Sequence, residues 1–405
     1  MDSARFVITL VLLLVAIGAA VYWSAFVVQL WRTLASTPSA EDGLELDLGP
    51  EPGPLCVVIP AHNEEEVIGP LVDSLRAQTH PSFRVVLALD RCTDQTEAIA
   101  RERIGDDARF RIVDVRPGGE GWAGKVNAVW CGVLSAPEAH RASYLLFSDA
   151  DCVFHPGCLA STTALVDRHG LDMLSLVNQL TSDRWFERLV QPAAGLELLT
   201  QYPLRRANRE RERRAFANGQ FMLFRASAYR RLGGHPEVAD ELLEDLAIAR
   251  QMADREMRQW TLPSGKLVTT RMYRSWDAFR RGWKRIFIEG AHRKPARLSK
   301  DAWQLRASSS VLPIGAALGA GWWALGGVFG TLAGNALGVV ALAALAMWAI
   351  GVGTVYRLGG YPVSLTPGHV VGAWLVGGLL KDAARDLREG NPVRWGGRRY
   401  VRAVR

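Results

Sequence analysis

The feature that most constrains this chain is a long apolar tract near its beginning, Phe6 to Leu30, which contains no charged residue. About 20 apolar residues suffice to cross a bilayer as an α-helix, so the tract predicts a transmembrane helix within residues 1–35. A cleaved signal peptide is the alternative, but its apolar core is normally much shorter than this one. We therefore expect an integral membrane protein.

Two further apolar tracts lie in the second half of the chain. Ala307 to Tyr356 is uncharged and long enough for two helices joined by a turn near Gly330 to Gly334. Val363 to Leu380 is interrupted by Pro367, which leaves a short apolar remainder. We expect a C-terminal membrane region over residues 307–381, with two crossings and a third segment that lies at the surface or re-enters.

The basic residues collect beside these apolar tracts. The formal net charge is +7, and between residues 280 and 300 a single acidic residue, Glu289, stands among eight basic ones. Such an excess beside a membrane segment is typical of the cytoplasmic side, and residues 382–405 form a second basic segment. We expect these charges to face the lipid bilayer surface and not nucleic acid. The five cysteines, without a CxxC spacing, indicate reduced cytosolic thiols.

Residues 45–305 alternate strand and helix patterns. LCVVIPA is an apolar run, and the helix that follows carries Val67, Ile68, Leu71 and Leu75 on one face. Further runs of the same kind follow, FRVVLALD, ARFRIVDV and SYLLFSDAD. This alternation predicts an α/β fold with a parallel sheet covered by helices on both faces. Ligands of such sheets bind beyond the carboxyl ends of the strands.

The strand ending at Phe147 runs directly into two carboxylates, Asp149 and Asp151. Residues at i and i+2 of an extended segment point to the same side, so these two charges would repel each other. A hard divalent ion, Mg²⁺ or Mn²⁺, resolves the conflict because it takes oxygen ligands from carboxylates and from substrate phosphates. The pattern predicts a metal site that holds a nucleotide diphosphate.

Three other polar clusters close predicted strands or begin helices. Pro60 to Glu66 and Leu89 to Thr96 follow the first two strands, where helix capping is an equally good explanation. Gly121 to Gly132 contains Lys125 at a helix start, where a cation and free N–H groups could meet a phosphate. In a later helix, Glu244 and Asp245 either stabilise the helix as negative charges near its positive N-terminal end or supply a general base.

In this order, the segments PAHNEEE, LDRCTDQT, GKVNA, SDAD, FANGQF and LLEDLAIAR resemble the family 2 glycosyltransferases. The catalytic domain of that family has the GT-A fold, which is Rossmann-like with a mostly parallel sheet. The resemblance covers residues 54 to 290. The segments RAFANGQFMLFRASAY, GGH, LLEDLA and RMYRS look most similar to the hopene-associated, membrane-bound branch, which has flanking transmembrane helices.

The resemblance implies roles for several residues at the nucleotide. Ala61 and Glu64 would line the nucleoside pocket, and Asp90 would bond to the base. Lys125 would approach the diphosphate or ribose. Asp149 and Asp151 match the DxD motif that holds the metal, Mg²⁺ or Mn²⁺, together with the nucleotide diphosphate.

Further roles concern the sugar and the acceptor. Asp245 matches the catalytic base, with Glu244 beside it. The resemblance places other residues near the donor sugar and the acceptor, namely Gly219, Gln220, Arg280, Arg281 and Trp283.

Two positions depart from the family pattern. Leu89 stands where many members have the first residue of an Asp-Asp pair, and Gly282 precedes Trp283 where processive synthases have the arginine of (Q/R)xxRW. The second departure argues against polysaccharide synthesis. The expected function is transfer of one sugar from a nucleotide-sugar donor, UDP-linked, to a lipid acceptor such as a hopanoid or another isoprenoid or sphingoid lipid. A polyprenyl-phosphate or polysaccharide transferase and a non-catalytic membrane scaffold remain alternatives.

A helix expected around residues 276–295 shows aromatic side chains at spacings of three and four, Trp276, Phe279, Trp283 and Phe287. Its basic neighbours suit the bilayer interface, so we expect this face to lie on the membrane. Ordinary packing against the catalytic domain is the alternative. With these elements the catalytic domain is expected to face the cytoplasm at a bacterial inner membrane.

Overall fold

The computed structural model describes residues 3–49, 52–118, 121–208, 215–326, 331–395 and 398–400. A sheet of seven strands, in the order β3-β2-β1-β4-β8-β6-β9, forms its centre. A smaller sheet has the order β5-β10-β7, and β11 pairs with β12. The strands are β1 Leu55–Ala61, β2 Phe83–Leu89, β3 Phe110–Asp114, β4 Tyr144–Ser148, β5 Cys152–Phe154, β6 Met173–Val177, β7 Gln179–Leu180, β8 Phe221–Arg225, β9 Gln259–Pro263, β10 Val268–Thr270, β11 Val393–Trp395 and β12 Arg398–Tyr400.

Sixteen α-helices accompany these strands within the described ranges. They are α1 Ser3–Ser36, α2 Ile68–Arg76, α3 Thr96–Ile104, α4 Gly124–Ser135, α5 Pro137–Arg141, α6 Cys158–His169, α7 Trp185–Leu189, α8 Gln191–Gln201, α9 Leu204–Ala207, α10 Ala226–Leu232, α11 Glu244–Asp254, α12 Trp276–Gly290, α13 Pro295–Arg306, α14 Leu312–Ala324, α15 Leu332–Leu358 and α16 His369–Arg388. Short 3₁₀ turns cover Ala40–Glu45, His235–Val238 and Val363–Gly368, and a π-turn covers Ala307–Val311.

The central sheet is mostly parallel, as the sequence predicts. β1 pairs in parallel with β2 and β4, and β2 with β3. β8 is the exception because it runs antiparallel to both of its neighbours, β4 and β6. The parallel pairing aligns Ala61 with Leu89, so β1 and β2 end at the same edge of the sheet.

Helices cover both faces of the sheet. Consecutive strand residues point to opposite faces, so alternate residues of one strand pack against different helices. Leu55, Val57 and Ile59 of β1 pack in one cluster with α2, α3 and α6, whereas Cys56 and Val58 pack in another with α4, α10 and α11. The predicted apolar face of the first domain helix is buried in the former cluster. Burial on both faces explains why these strands are apolar throughout.

Three segments of the described chain are long and apolar enough to cross a membrane, Ser3–Glu45, Leu332–Leu358 and Val363–Arg388. α1 packs against α14 and α15, and Trp23 Nε1 donates a hydrogen bond to the Ser308 carbonyl at 3.2 Å. Large apolar side chains on the outside of α1, α14 and α15 are exposed, for example Leu14, Leu318 and Val339. Such exposure is expected where lipid replaces water.

The predicted pair of helices between residues 307 and 356 is present, with different bounds. α14 has 13 residues and continues back through the π-turn into α13, whereas α15 has 27. The predicted turn at Gly330 to Gly334 is only partly covered, because residues 327–330 lie outside the described ranges.

α16 packs against α8, α12 and α13. Phe279, Trp283 and Phe287 of α12 are at most 2% exposed in the cluster formed with α16. The prediction that this aromatic face lies on the bilayer is therefore wrong. An amphipathic helix can bury its apolar stripe against lipid or against another part of the protein. Here α16 covers the stripe of α12.

Ion pairs fasten the same two helices. Arg280 of α12 lies 3.6 Å from Asp382 of α16, and Lys284 contacts Asp386 one turn further along. Part of the predicted basic tail lies outside the described residues, namely the side chains of residues 393–400 and all of 401–405.

Candidate active site

A cavity of about 300 Å³ lies at the carboxyl edge of the parallel strands. It is lined by residues that follow β1, β2 and β4 and by the start of α4, because parallel strands deliver their ends to one edge. The lining residues are Pro60, Ala61, His62, Glu64, Asp90, Arg91, Gly124, Lys125, Ala128, Asp149, Ala150, Asp151 and Met272. All five predicted nucleotide residues and both predicted metal ligands belong to this set.

Lys125 is the centre of a partly buried charge cluster. Its Nζ donates to Asp149 Oδ1 at 2.8 Å and to Glu244 Oε1 at 2.6 Å, and the Gly219 carbonyl lies at 3.5 Å. Burial disfavours the charge on Lys125, but Asp149, Glu244 and Asp245 outweigh it and raise its pKa. The lysine thereby joins the first turn of α4, the end of β4 and the first turn of α11.

Asp245 is fixed by two backbone groups. Its Oδ2 accepts from the Gly219 N–H at 2.8 Å, and its Oδ1 accepts from the Leu246 N–H at 2.8 Å. Burial, followed by the nearby Glu244 charge, raises the pKa of Asp245 to about 6. A carboxylate with this pKa is ionised at neutral pH and is a stronger base than an exposed aspartate, which suits proton abstraction.

Glu244 differs from its neighbour although both occupy the first turn of α11. Burial opposes its ionisation, but Lys125 prevails and lowers the pKa of Glu244. Two adjacent carboxylates thus have pKa values displaced in opposite directions, which separates a permanently charged group from one that can accept a proton.

Asp149 and Asp151 follow β4 as predicted. Burial, with Asp149 and Glu64 nearby, raises the pKa of Asp151 well above its usual range. Within the described residues no Lys, Arg or His forms an ion pair with Asp151, and no group of three or more His, Cys, Asp or Glu side chains could hold a metal. Two carboxylates that face a cavity and need a cation fit Mg²⁺ or Mn²⁺ when phosphates supply further oxygen ligands.

Two of the carboxylates that line the cavity, Glu64 and Asp90, form pairs with arginines. Arg274 Nη2 lies 3.2 Å from Glu64 Oε2 and donates to the Asn63 carbonyl at 3.0 Å. Burial raises the pKa of Glu64 to about 7, although Arg274 lowers it. Asp90 accepts from both Nε and Nη2 of Arg91, at 2.8 and 2.7 Å. A base that bonded to Asp90 would have to share it with Arg91.

The predicted sugar and acceptor residues fall into two groups. Gly219 and Gln220 lie beside the charge cluster, and Ser148 Oγ donates to the Gln220 carbonyl at 2.6 Å. Arg280, Arg281 and Trp283 do not line the cavity: Trp283 is buried against α16, Arg280 pairs with Asp382, and Arg281 is exposed. Their roles stay predictions.

Sequence reasoning gave no role to Arg91, Arg274 or His235. Arg274 lies in RMYRS, just after β10, and its position at the end of a strand was an available signal. His235 lies in the turn before α11 and is fully buried. Nothing in its local sequence indicates that the turn brings it towards Glu244.

Comparison with known proteins identifies the domain. The sequence model "Glycosyl transferase family 2" matches residues 56–233. This range contains every cavity-lining residue except Met272, and it ends before Glu244 and Asp245.

Relatives of known activity also match. The "4,4'-diaponeurosporenoate glycosyltransferase" of Staphylococcus aureus strain MRSA252 is 25% identical over 248 residues, and that of strain USA300 is equally similar. The alignment covers 58% of this chain and 61% of the relative, which is less than two thirds of its length.

Solved structures resemble the chain at lower identity. A mannosyltransferase from Pyrobaculum calidifontis, in complex with GDP-Man and Mn²⁺, has a TM-score of 0.49 and 19% identity, over 93% of this chain and 99% of that one. TarS residues 1–349 of S. aureus, in complex with UDP-GlcNAc, have a TM-score of 0.41 and 15% identity, over 86% and 96%.

Proposed function

Because this enzyme belongs to glycosyl transferase family 2, we propose that it moves a single sugar from a UDP-linked donor to a lipid acceptor in the membrane. The observation that carries the proposal is that Lys125 and Asp245 both lie next to Gly219. On one side a cavity holds the Lys125, Asp149 and Asp151 side chains, and on the other Asp245 has a raised pKa. The first suits a nucleotide diphosphate, and the second suits an attacking hydroxyl.

The cavity residues would divide the work on the donor. Asp149 and Asp151 would hold Mg²⁺ or Mn²⁺, which supplies positive charge to the leaving diphosphate when bound. Lys125 would bind the same diphosphate, and Glu64 and Asp90 would orient the nucleoside. Fixed charges aimed at the departing group usually supply the largest part of such catalysis.

Asp245 would act on the acceptor. Its two backbone hydrogen bonds hold the carboxylate in one orientation, and each oxygen keeps a lone pair for the acceptor O–H. Asp245 would take that proton while the acceptor oxygen attacks the sugar carbon in line with the leaving nucleotide diphosphate. In-line displacement gives inversion at the sugar carbon. Glu244 would remain charged beside it and keep Asp245 basic.

The membrane helices support a lipid acceptor. α1, α14 and α15 expose apolar side chains outward, and the chain after α15 lies against α8: Gln191 Nε2 donates to Tyr361 Oη at 3.1 Å. The catalytic domain is thus in contact with the helices whose exposed apolar side chains suit a lipid environment. The relatives are named for an acceptor, 4,4'-diaponeurosporenoate, rather than for a polymer, which supports the same class. A hopanoid remains our specific proposal, with the domain facing the cytoplasm of a bacterial inner membrane.

The departure at Gly282 supports transfer of one sugar instead of polymer synthesis. A Cβ at this position would collide with the Tyr273 side chain. The arginine expected there in a processive synthase would therefore require Tyr273 to move, which the packing of Tyr273 against Phe279 resists.

The proposal is tested with detergent-purified protein and a panel of nucleotide sugars, in Mn²⁺, Mg²⁺ or EDTA. We expect metal-dependent binding of one donor and its loss, by about 10²-fold or more, in Asp151→Asn. Asp183→Asn, which changes an exposed carboxylate paired only with Arg271 among the described residues, is the matched control and should bind as the wild type. Absence of nucleotide binding under every condition would overturn the proposal in favour of a membrane scaffold.

Gly219→Ala is expected to lower kcat on the order of 10²-fold. The added Cβ would lie 3.0 Å from Lys125 Nζ, 3.1 Å from Glu244 Oε1 and 3.2 Å from Asp245 Oδ2, so the methyl group would force these charges apart. Gly195→Ala is the control, because a Cβ there meets nothing within 4 Å and alanine favours its helix, α8. Equal activities of the two variants would contradict the role of the cluster.

A further inference from the structure

A buried histidine with an unused donor lies behind the charge cluster. His235 is 0% exposed, and its ring packs edge-on against Phe147 at 4.7 Å between centroids. Within the described residues its Nε2 has no hydrogen-bond partner. Most buried polar atoms in folded proteins have a hydrogen-bond partner, so this unpaired one calls for an explanation.

The other ring nitrogen fixes where the proton lies. Tyr229 Oη and His235 Nδ1 are 2.6 Å apart, and Tyr229 Oη also accepts from the His235 backbone N–H at 3.2 Å. Among the described residues Nδ1 is the only acceptor within hydrogen-bond distance of Tyr229 Oη, so we assign the tyrosine proton to Nδ1. A neutral imidazole then carries its single N–H on Nε2.

The ionisable groups that face His235 come from three elements. They are Tyr229 of α10, Lys125 of α4 and Glu244 of α11; Phe147 of β4 completes the surroundings. Burial lowers the pKa of His235 to about 4, with Glu244 raising it and Lys125 lowering it further. The ring is therefore neutral at physiological pH, and the turn that carries it packs against α4 and α11, the helices of Lys125 and Glu244.

Lys125 has no spare donor in this arrangement. Its three N–H groups are directed to Asp149, Glu244 and the Gly219 carbonyl. A diphosphate that takes Lys125 away from Glu244 would leave a buried carboxylate without a cation, and such a group gains a proton instead of staying charged. Glu244 would then stop raising the pKa of Asp245.

We propose that His235 is a positioning residue whose Nε2–H bonds to Glu244 when the donor diphosphate recruits Lys125, so that Glu244 stays ionised and Asp245 stays basic. The inference rests on the proposed function, because it presumes a diphosphate at Lys125. It explains why a neutral donor is held unused beside the cluster in the ligand-free protein.

Two substitutions of His235 separate this role from simple packing. Glutamine places an amide N–H near the position of Nε2, whereas asparagine reaches only the position of Nδ1 and Tyr229. We expect His235→Asn to lower kcat at pH 7 by about tenfold and to move the acidic limb of the kcat profile downward by about one pH unit. The limb of kcat/KM should stay where it is, because in the free enzyme Lys125 still pairs with Glu244. His235→Gln should match the wild type within about twofold.

A parallel loss of kcat and kcat/KM in both variants, with no movement of either limb, would assign His235 to packing and overturn the inference. A second measurement does not need turnover: infrared difference spectra on addition of UDP with Mn²⁺. We expect a protonated-carboxyl band in His235→Asn that is absent in the wild type and in His235→Asn with Glu244→Gln. UDP binding without this band in His235→Asn would also overturn the inference, whereas no UDP binding by the wild type would overturn the proposed function itself.

Discussion

Asp245→Asn is expected to lower kcat for sugar transfer by about 10²- to 10⁴-fold while nucleotide binding stays within about twofold of the wild type. Asparagine keeps the shape of the side chain and can still accept the Gly219 N–H, but it cannot take a proton from the acceptor. Because Asp245 does not line the donor cavity, binding of the nucleotide should not depend on its charge.

The measurement is steady-state transfer to lipid beside calorimetric binding of the nucleotide. Asp254→Asn is the matched control, because Asp254 is the exposed last residue of the same helix, α11. If Asp245→Asn kept its kcat, or if binding fell as much as kcat, Asp245 would not be the base.

The same assignment fixes the direction of the pH profile. Burial and Glu244 raise the pKa of Asp245 to about 6, and only the deprotonated carboxylate accepts a proton. We expect kcat/KM to be level above this pH and to fall about tenfold per unit below it, and the residual activity of Asp245→Asn should lack this limb.

Lys125→Met is expected to destabilise the folded domain by about 3 kcal/mol at pH 7.5, because Glu244 and Asp149 are left partly buried without their cation. In a chain of 405 residues the loss should appear as a fall in Tm on the order of 4 °C. Lys266→Met, at an exposed lysine in the turn between β9 and β10, is the control and should leave Tm unchanged within about 1 °C.

The effect should depend on pH with a defined sign. In the wild type Lys125 lowers the pKa of Glu244, which stabilises the fold at neutral pH and loses its effect as pH falls. In Lys125→Met the buried Glu244 carboxylate loses its cation, so burial should raise its pKa; the penalty for its charge is then present at high pH and disappears once it is protonated. The difference in Tm between the two proteins should therefore shrink towards pH 5, and Glu244→Gln in the Lys125→Met background should recover part of it. A difference that did not change with pH would show that lost packing, not unpaired charge, is the cause.

Much of the candidate site could be predicted because it depends on local pattern and one topological rule. The apolar runs that form β1, β2 and β4 are continuous in sequence, and each is followed by polar residues. Parallel strands end at one edge, so Glu64, Asp90 and Asp149 were bound to meet once the strands were recognised. Lys125 followed from the same reasoning, since it begins the helix that packs beside those strands.

The contacts between distant elements were not predictable in this way. Glu64 pairs with Arg274, which lies more than 200 residues away in the sequence. The aromatic stripe of α12 was recognised, but its partner is α16 instead of the bilayer. Periodicity defines which side chains share a face; it contains no information on what will cover that face.

The sequence by itself determined the long apolar helix α1, the α/β class of the middle domain and the set of charged residues that meet at the candidate site. These follow from apolar length and from the alternation of strand and helix, which are properties of neighbouring residues. Only the tertiary structure decided that Glu244 and Asp245 have opposite pKa displacements, that a side chain at Gly219 would crowd the charge cluster, and that the turn of His235 packs against α4 and α11. The reason is that burial and charge depend on what surrounds a group in space, and folding brings β4, α4, α10 and α11 together from separate parts of the chain.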